Sequence, residues 1–169
     1  LGNEVDPAVV EAMVDTCVAN YGVVSDYYEL KGKLLGVDEL THYDRYAPIS
    51  ADTSDVAFED AKQVVLDSFD GFSPELRDAA EPFFSKRWID AALADHKQGG
   101  AYCAGVTPGL HPYVFMNYMG KPRDVMTLAH ELGHGVHDVL AGKQSLLNYH
   151  PVLPLAETAS TFAEMLVFD

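Results

Sequence analysis

The sequence has no long apolar run, few basic residues and little cysteine. A membrane-spanning helix needs about 20 consecutive apolar residues, and no stretch approaches that length, nor does the N-terminus carry the charged-then-apolar pattern of a signal peptide. The chain has 26 acidic and 11 basic residues, for a formal net charge of −15. Nucleic acids and anionic membranes are both bound through basic patches. We therefore expect a cytoplasmic protein that has neither of them as a partner.

Only two cysteines are present, Cys17 and Cys103, and neither forms part of a CxxC motif. This excludes a zinc ribbon and a CxxC redox pair. The default expectation for a cytoplasmic protein is two free, buried thiols. One disulfide between them remains the alternative.

A chain of 169 residues suits one domain with a sizeable core. It opens without Met and closes in an apolar helical pattern that has neither a cap nor a breaker. We therefore expect residues 1–169 to form a single, partial domain within a longer protein. The sequence leaves its oligomeric state open.

Helical periodicity dominates the chain, with short strand-like runs near its centre. The predicted strands cover Ala101–Ala104 and Tyr113–Tyr118, and a loop is predicted over 144–154. Capping residues and breakers predict five helices: from Asp6 to about Gly36, from Thr53 or Ser54 to about Phe69, from Ser73 onward, from about Asp124 to Ala141, and from Pro154 to the chain end. The predicted fold is mainly α with a small β-sheet.

The sequence TLAHELGH over residues 127–134 places His130 and His134 four residues apart. Side chains so spaced share one helix face, with about 5–6 Å between Cβ atoms, so both imidazoles can reach one zinc ion at about 2.0–2.1 Å. Glu131 points to a neighbouring face, close to the metal, where a base for a metal-bound water belongs. We predict His130 and His134 as ligands of one Zn²⁺ ion and Glu131 as the catalytic base.

An HExxH pattern alone arises by chance in roughly one chain in sixty of this composition. The alternative is therefore a surface helix that happens to carry two histidines. The helix around His130 is apolar over much of its circumference, which indicates burial. Burying two imidazoles and a carboxylate without a partner is costly, and a metal ion removes that cost.

A catalytic zinc keeps three protein ligands and one open position. Glu157 lies in the first turn of the last predicted helix among small residues that let two helices approach closely. A glutamate there could also simply favour the helix dipole. Given the HExxH motif, we predict that Glu157 is the third ligand.

Two further residues lie near the predicted site. Glu164 shares a face with Glu157 and could accept a hydrogen bond from the far nitrogen of one histidine ligand, which would fix its tautomer. A solvated glutamate is the alternative. His137 is predicted to pack beside the ligands or to hydrogen-bond to them, without being a ligand itself. Gly133 lowers helix propensity by about 1 kcal/mol, which suggests a packing reason for its presence.

The motif HELGHGVH followed by LAETASTFAEM resembles peptidase family M3 of zinc metallopeptidases, most closely its oligoendopeptidase F branch. The segments GAYCAG, HPYVFMNY, YYELKGKLLG and RWID are similar to it too, so the resemblance covers nearly the whole chain. It implies zinc ligands at His130, His134 and Glu157, a base at Glu131, and a zincin-like catalytic core. It also implies a larger, mainly helical protein that closes around a deep channel and admits short peptides. Family members carry Tyr and His residues beyond the zinc site, and none of these can be assigned here.

The predicted reaction is hydrolysis of short peptides by a metal-activated water, with Glu131 passing the proton to the leaving amine. The strand Tyr113–Tyr118 precedes the zinc helix, and an edge strand there could pair with an extended substrate. Asn117 and Tyr118 are therefore candidate substrate-contacting residues, although an ordinary buried strand is the alternative.

Two other functions remain open. The chain could bind zinc and peptide without being catalytically complete on its own. A structural zinc site, however, needs no base and normally has four protein ligands. An aminopeptidase would need a group to hold the substrate's amino terminus, and the sequence indicates none.

Overall fold

The computed structural model describes residues 2–49 and 55–168. The chain divides into two compact units, Leu1–Thr53 and Ser54–Asp169, which are described separately. The predicted start of the second helix at Thr53 or Ser54 lies outside the described residues. Whether the two units act as one domain stays a prediction. In the described part of the chain, no helix is both long and apolar enough to cross a membrane.

The first unit contains two helices, α1 (Pro7–Ala19) and α2 (Tyr21–Leu35), and a 3₁₀ helix at His42–Tyr46. The Asp6 side chain accepts a hydrogen bond from the N–H of Ala8, as expected for an N-cap. The prediction of one continuous helix is wrong, because Asn20 interrupts it with φ −111°. Its side-chain amide donates to the Thr16 carbonyl oxygen and so closes α1.

The predicted burial of the Cys17 thiol is also wrong. No residue of α1 is buried, and the Cys17 thiol is exposed. The described residues of this unit supply no layer that covers the apolar face of α1. Cys17 and Cys103 are both free, so the disulfide alternative does not apply, and only Cys103 is even partly buried.

The second unit contains five helices in its described residues, and most begin within a few residues of the predicted positions. Helix α3 continues beyond its predicted end near Phe69 to Phe72. Ser73 then ends α3 and caps α4 through its hydroxyl oxygen. The predicted loop over 144–154 instead contains the one-turn helix α6. The bounds are α3 Phe58–Phe72, α4 Pro74–Ser85, α5 Pro122–Ala141, α6 Leu146–Tyr149 and α7 Leu153–Phe168.

Three short strands form one sheet: β1 (Ile89–Asp90), β2 (Tyr102–Ala104) and β3 (Tyr113–Phe115). Their order is β1-β3-β2, with β1 parallel and β2 antiparallel to β3. Strand β1 was not predicted, because two residues are too few for an alternating pattern. Strand β3 is shorter than predicted and lies at the centre, which leaves β2 as an edge strand facing α5.

The core of the second unit lies between α3, α4, α5, α7 and the sheet. Helix α5 contributes its most deeply buried apolar face, with Leu128, Ala129 and Leu132 fully buried. Burial of such apolar side chains contributes most of the stability of a domain of this size, at about 25 cal/mol per Å². Since α5 is held on several sides, the polar residues along its remaining face have fixed positions.

Candidate metal centre

Helix α5 positions the two histidines of the HExxH motif. It begins with Pro122 in its first turn, and the Asp124 carboxylate accepts the backbone N–H groups of Lys121 and Met119. These bonds fix the start of the helix. Two turns later, His130 and His134 lie on the same face, with their rings 5.0 Å apart.

Helix α7 approaches α5 closely enough to bring a third polar residue to the histidines. At Gly133, an added Cβ would lie 2.7 Å from the Ala159 carbonyl oxygen and 2.8 Å from Ser160 Cα. The helices can therefore approach this closely only because residue 133 has no side chain. The Ser160 hydroxyl donates to the Glu157 carboxylate at 2.9 Å and orients it. The packing reason that the sequence suggested for Gly133 is thus present.

The three predicted ligands converge. Glu157 Oε2 lies 3.4 Å from His130 Nε2 and 3.6 Å from His134 Nε2. One potential ligand atom from each residue lies within 4.8 Å of the others, and this is the only such group of three or more His, Cys, Asp or Glu residues among those described. Two imidazole nitrogens and one carboxylate oxygen are a donor set that suits Zn²⁺.

Glu164 lies outside the group of three predicted ligands and contacts one of them. Its Oε2 is 3.2 Å from His130 Nδ1. When Nδ1 carries the proton and donates to this carboxylate, Nε2 keeps its lone pair and faces Glu157 and His134. The structure therefore brings Glu164 to the histidine nitrogen that the sequence suggested. The role of this contact in metal binding stays a prediction.

Glu131 is buried beside this group, with 6% of its surface exposed. Burial raises the pKa of its carboxyl above the usual value, and Glu157 raises it further, while His130 and the backbone N–H of Cys103 lower it. The net pKa is raised, which makes Glu131 a better proton acceptor once it is ionised. It makes no ligand-type contact with the two histidines.

Burial acts on His134 in the opposite sense. It lowers the pKa of the imidazole, with the Glu157 carboxylate as the main opposing influence. A lowered pKa keeps the ring neutral near neutral pH, and neutral imidazole is the form that binds metals. The electrostatics of the site therefore suit ligation by His134.

Two open cavities meet at His130 and Glu131, which line both. The larger, about 710 Å³, is lined by Lys97 and Arg123, and we call it the Arg123 cavity. The smaller, about 390 Å³, is lined by Asp138, and we call it the Asp138 cavity. The candidate metal centre is thus open on two sides.

The remaining predicted residues, His137, Asn117 and Tyr118, lie in different surroundings. His137 lines the Asp138 cavity, outside the ligand group. Asn117 donates to the Gln98 carbonyl oxygen and lines the Arg123 cavity. Tyr118 donates to the Val56 carbonyl oxygen, and its N–H bonds to the Ala91 carbonyl oxygen.

The prediction that Tyr113–Tyr118 forms an edge strand before α5 is wrong. Strand β3 is paired on both sides, with β1 and β2, so it has no free edge for a peptide. Sequence spacing could not reveal this, because the two-residue strand β1 occupies the side that the prediction left open. The edge strands of the sheet are β1 and β2, and it is β2 whose residues line the Asp138 cavity.

Two charged residues around the site, Asp138 and Lys97, were not predicted from the sequence. Asp138 follows His134 by one helical turn and so shares its face, a spacing that the sequence could have indicated. Lys97 had no such signal. Its side chain is 8% exposed, and its ammonium donates to four oxygens, belonging to Asp90, Ala92 and Met116.

The chain is similar to proteins named as oligopeptidases. It is 32% identical over 171 residues to an oligoendopeptidase F homolog of Borreliella burgdorferi, covering 99% of this chain and 29% of the relative. It is 30% identical over 167 residues to the oligopeptidase PepF of Bacillus subtilis, covering 98% of this chain and 25% of the relative. The chain thus spans less than a third of the length of these relatives.

Solved structures share the fold of this chain. A putative peptidase from Chlamydophila abortus matches with a TM-score of 0.77 and 31% identity, over 99% of this chain and 28% of that one. A putative oligoendopeptidase F from Bacillus anthracis matches with a TM-score of 0.84 at 18% identity, over 98% of this chain and 31% of that one. The sequence model of Peptidase family M3 matches residues 3–169. This chain therefore belongs to peptidase family M3, with relatives in its oligoendopeptidase F branch.

Proposed function

We propose that the chain carries the catalytic centre of a zinc-dependent endopeptidase that hydrolyses short peptides. His130, His134 and Glu157 are the zinc ligands in this proposal, and Glu131 is the general base. The observation that carries it is the convergence of three donor atoms within 4.8 Å beside a buried carboxylate with a raised pKa. Membership of a peptidase family supports the same reaction class.

The donor set fits a zinc ion that keeps an open position. Two neutral imidazoles and one carboxylate are three protein ligands, the number typical of catalytic zinc, whereas structural zinc usually has four. Cys103 lies on β2 and is absent from the ligand group, which argues against a structural site. The Glu164 contact to His130 Nδ1 would hold the ligand ring in its metal-binding tautomer.

A bound zinc ion supplies a Lewis acid that lowers the pKa of a coordinated water to about 7 and polarises a carbonyl oxygen. Glu131 accepts the proton of the attacking water through its buried carboxylate. The same carboxyl then donates that proton to the leaving amine nitrogen, which avoids expelling an unstable amide anion. The raised pKa of Glu131 assists both steps. It brings the pKa of the carboxyl closer to those of the attacking water and the leaving amine, between which the proton moves.

The free edge of β2 offers a place for the peptide backbone. Ala101 lines both cavities, and Tyr102 and Ala104 line the Asp138 cavity. An extended peptide added to this edge would pair through its main chain and would lie across the candidate metal centre. Main-chain pairing recognises any extended sequence, which suits an enzyme for varied short peptides.

A second candidate is a segment that binds zinc and peptide but does not catalyse by itself. The chain spans less than a third of its relatives' length, and both cavities are open, so other parts of a longer protein could complete the site. The two candidates share the ligands and the β2 edge. They differ only in whether residues 1–169 suffice for hydrolysis.

The test compares the full-length protein with its Glu131→Gln variant on a library of quenched fluorescent peptides, with zinc content measured in parallel. We expect the variant to keep zinc and to lose at least about 10³-fold in kcat, the scale of loss when a catalytic group is removed. Glu59→Gln, which removes an exposed carboxylate on α3, is the matched control and should retain activity. A parent protein that binds no metal, or an active Glu131→Gln variant, would refute the proposal. Activity of the isolated 169 residues separates the two candidates.

A further inference from the structure

The two cavities beside the candidate metal centre differ in the charges that they leave unpaired. In the Arg123 cavity, the guanidinium of Arg123 makes no ion pair or hydrogen bond among the described residues, and α5 presents it at an exposed position. In the Asp138 cavity, no Lys or Arg is among the lining residues, and the Asp138 carboxylate makes no ion pair or hydrogen bond among the described residues. One cavity therefore offers a free cation and the other a free anion.

The other charges in the Arg123 cavity already have partners. Lys97 donates to backbone and carboxylate oxygens, and Asp124 accepts two backbone N–H groups. Glu164 contacts His130, and Glu131 is shared between both cavities. Arg123 is left as the group able to bind an incoming anion.

The Asp138 carboxylate lies among groups that form no ion pair with it. The imidazoles of His134, His137 and His150 lie near it, but none of them is within ion-pair distance of its oxygens among the described residues. Among the described residues, the buried Tyr149 hydroxyl has no hydrogen-bond partner. An added Cβ at Gly105 would contact both Asp138 Oδ2 and this hydroxyl, so the two groups lie against the same glycine. An ammonium or guanidinium group is the ligand that a carboxylate in this cavity suits.

The direction of β2 agrees with this charge difference. The chain runs from Gly100, which lines the Arg123 cavity, through Ala101 to Gly105, which lines the Asp138 cavity. A peptide paired antiparallel to β2 would run the opposite way, with its amino-terminal part in the Asp138 cavity and its carboxyl-terminal part in the Arg123 cavity. A free peptide carries a positive charge at its amino end and a negative charge at its carboxyl end, so it would meet the complementary group on each side. A parallel peptide would place both ends beside like charges.

We propose that Asp138 and Arg123 are specificity-determining residues that orient and select the peptide. Asp138 binds a cationic group on the amino-terminal side of the scissile bond, and Arg123 binds an anionic group on its carboxyl-terminal side. The cation is a Lys or Arg side chain or the free amino terminus, and the anion is an acidic side chain or the free carboxylate. This inference rests on the proposed function, since it concerns the substrate of the same centre.

The test uses the full-length, zinc-loaded protein and pairs of peptides of equal length. One peptide carries Lys before and Glu after the cleaved bond, and its mirror carries Glu before and Lys after. N-acetylated and C-amidated versions separate the terminal charges from the side-chain charges. We expect kcat/KM to favour the first peptide by about tenfold, since each of the two solvent-accessible charge pairs contributes only about a few-fold. The preference should disappear in high salt.

The variants Asp138→Asn and Arg123→Gln should each reduce that preference by about threefold to fivefold, mainly through KM. Asp138→Asn should change only the charge preference before the scissile bond, and Arg123→Gln only the preference after it. The controls are Asp78→Asn and Arg77→Gln, which change the same charges on α4 outside both cavities and should leave the preference unchanged. Normal cleavage with no charge preference, or a preference that survives both variants, would overturn this inference alone. Absence of cleavage for every peptide would overturn it together with the proposed function.

Discussion

Gly133 of α5 and Ala163 of α7 lie so close that an added Cβ at Gly133 would stand 2.7 Å from the Ala163 Cβ. Atoms at that separation overlap, so a side chain at residue 133 would force the two helices apart. Because α5 carries His130 and His134 and α7 carries Glu157, this one contact sets the separation of the proposed ligands.

Replacing Gly133 with Ala should therefore lower both stability and zinc affinity. Helix propensity alone predicts a gain of about 1 kcal/mol, but overpacking costs about 1–3 kcal/mol, and we expect a net loss. Thermal unfolding and a zinc-chelator competition check the two effects. Gly71→Ala on α3 is the control, since a Cβ there meets nothing within 4 Å, and it should be neutral or stabilising. A Gly133→Ala variant as stable as the parent would contradict the close contact.

Removing the Glu164 carboxylate should weaken zinc binding more than it changes the fold. Its Oε2 lies 3.2 Å from His130 Nδ1, and loss of such an outer contact typically lowers metal affinity by about 10–100-fold. Glu164→Ala should show the full loss. Glu164→Gln should show less, because the amide oxygen can still accept the bond. Equal zinc affinity in all three proteins would show that Glu164 does not orient the ligand.

Lys97 should stabilise the loop that precedes β2. Its ammonium is almost enclosed and donates to the carbonyl oxygens of Met116 and Ala92 and to Asp90. The variant Lys97→Met keeps the apolar stem but leaves these acceptors without a donor, at about 1–3 kcal/mol for each group that water does not reach. We expect a drop in unfolding free energy of one or two such increments, about 2–4 kcal/mol, and a raised KM, since the β2 edge would shift.

Urea unfolding and peptide kinetics measure these two effects of Lys97→Met. The control is Lys62→Met on α3, whose ion pair with Glu59 is exposed and contributes at most about 1 kcal/mol. Similar stabilities for the two variants would show that the Lys97 bonds are not important.

The sequence predicted most of the helices and the proposed ligand group because these depend on local patterns. Asp6 and Ser73 are capping residues beside prolines, and His130 and His134 share a helix face through their spacing alone. The failures concern long-range packing. The exposure of Cys17 depends on what covers α1, and the central position of β3 depends on β1, which has too few residues to show a pattern. Lys97 gave no signal, since its partners are mainly carbonyl oxygens, up to 19 residues away.

The zinc-free protein should become more stable when Glu131 loses its charge, and the gain should depend on pH. Burial is the main reason that the pKa of Glu131 lies above its usual value in the folded chain. A raised folded-state pKa means that the unfolded chain ionises first as pH rises, so the charged carboxylate destabilises the fold above that range. Glu131→Gln removes this cost, and we expect it to stabilise the zinc-free protein near pH 7–8.

Below about pH 4 the carboxyl is protonated in both folded and unfolded chains, and the advantage of Glu131→Gln should vanish. Thermal unfolding of the two zinc-free proteins across this pH range measures the difference directly. Glu59→Gln is again the control, since its exposed carboxylate should give a small difference that hardly varies with pH. A stability difference for Glu131→Gln that stays constant from acid to neutral pH would show that ionisation of this buried carboxyl does not destabilise the fold.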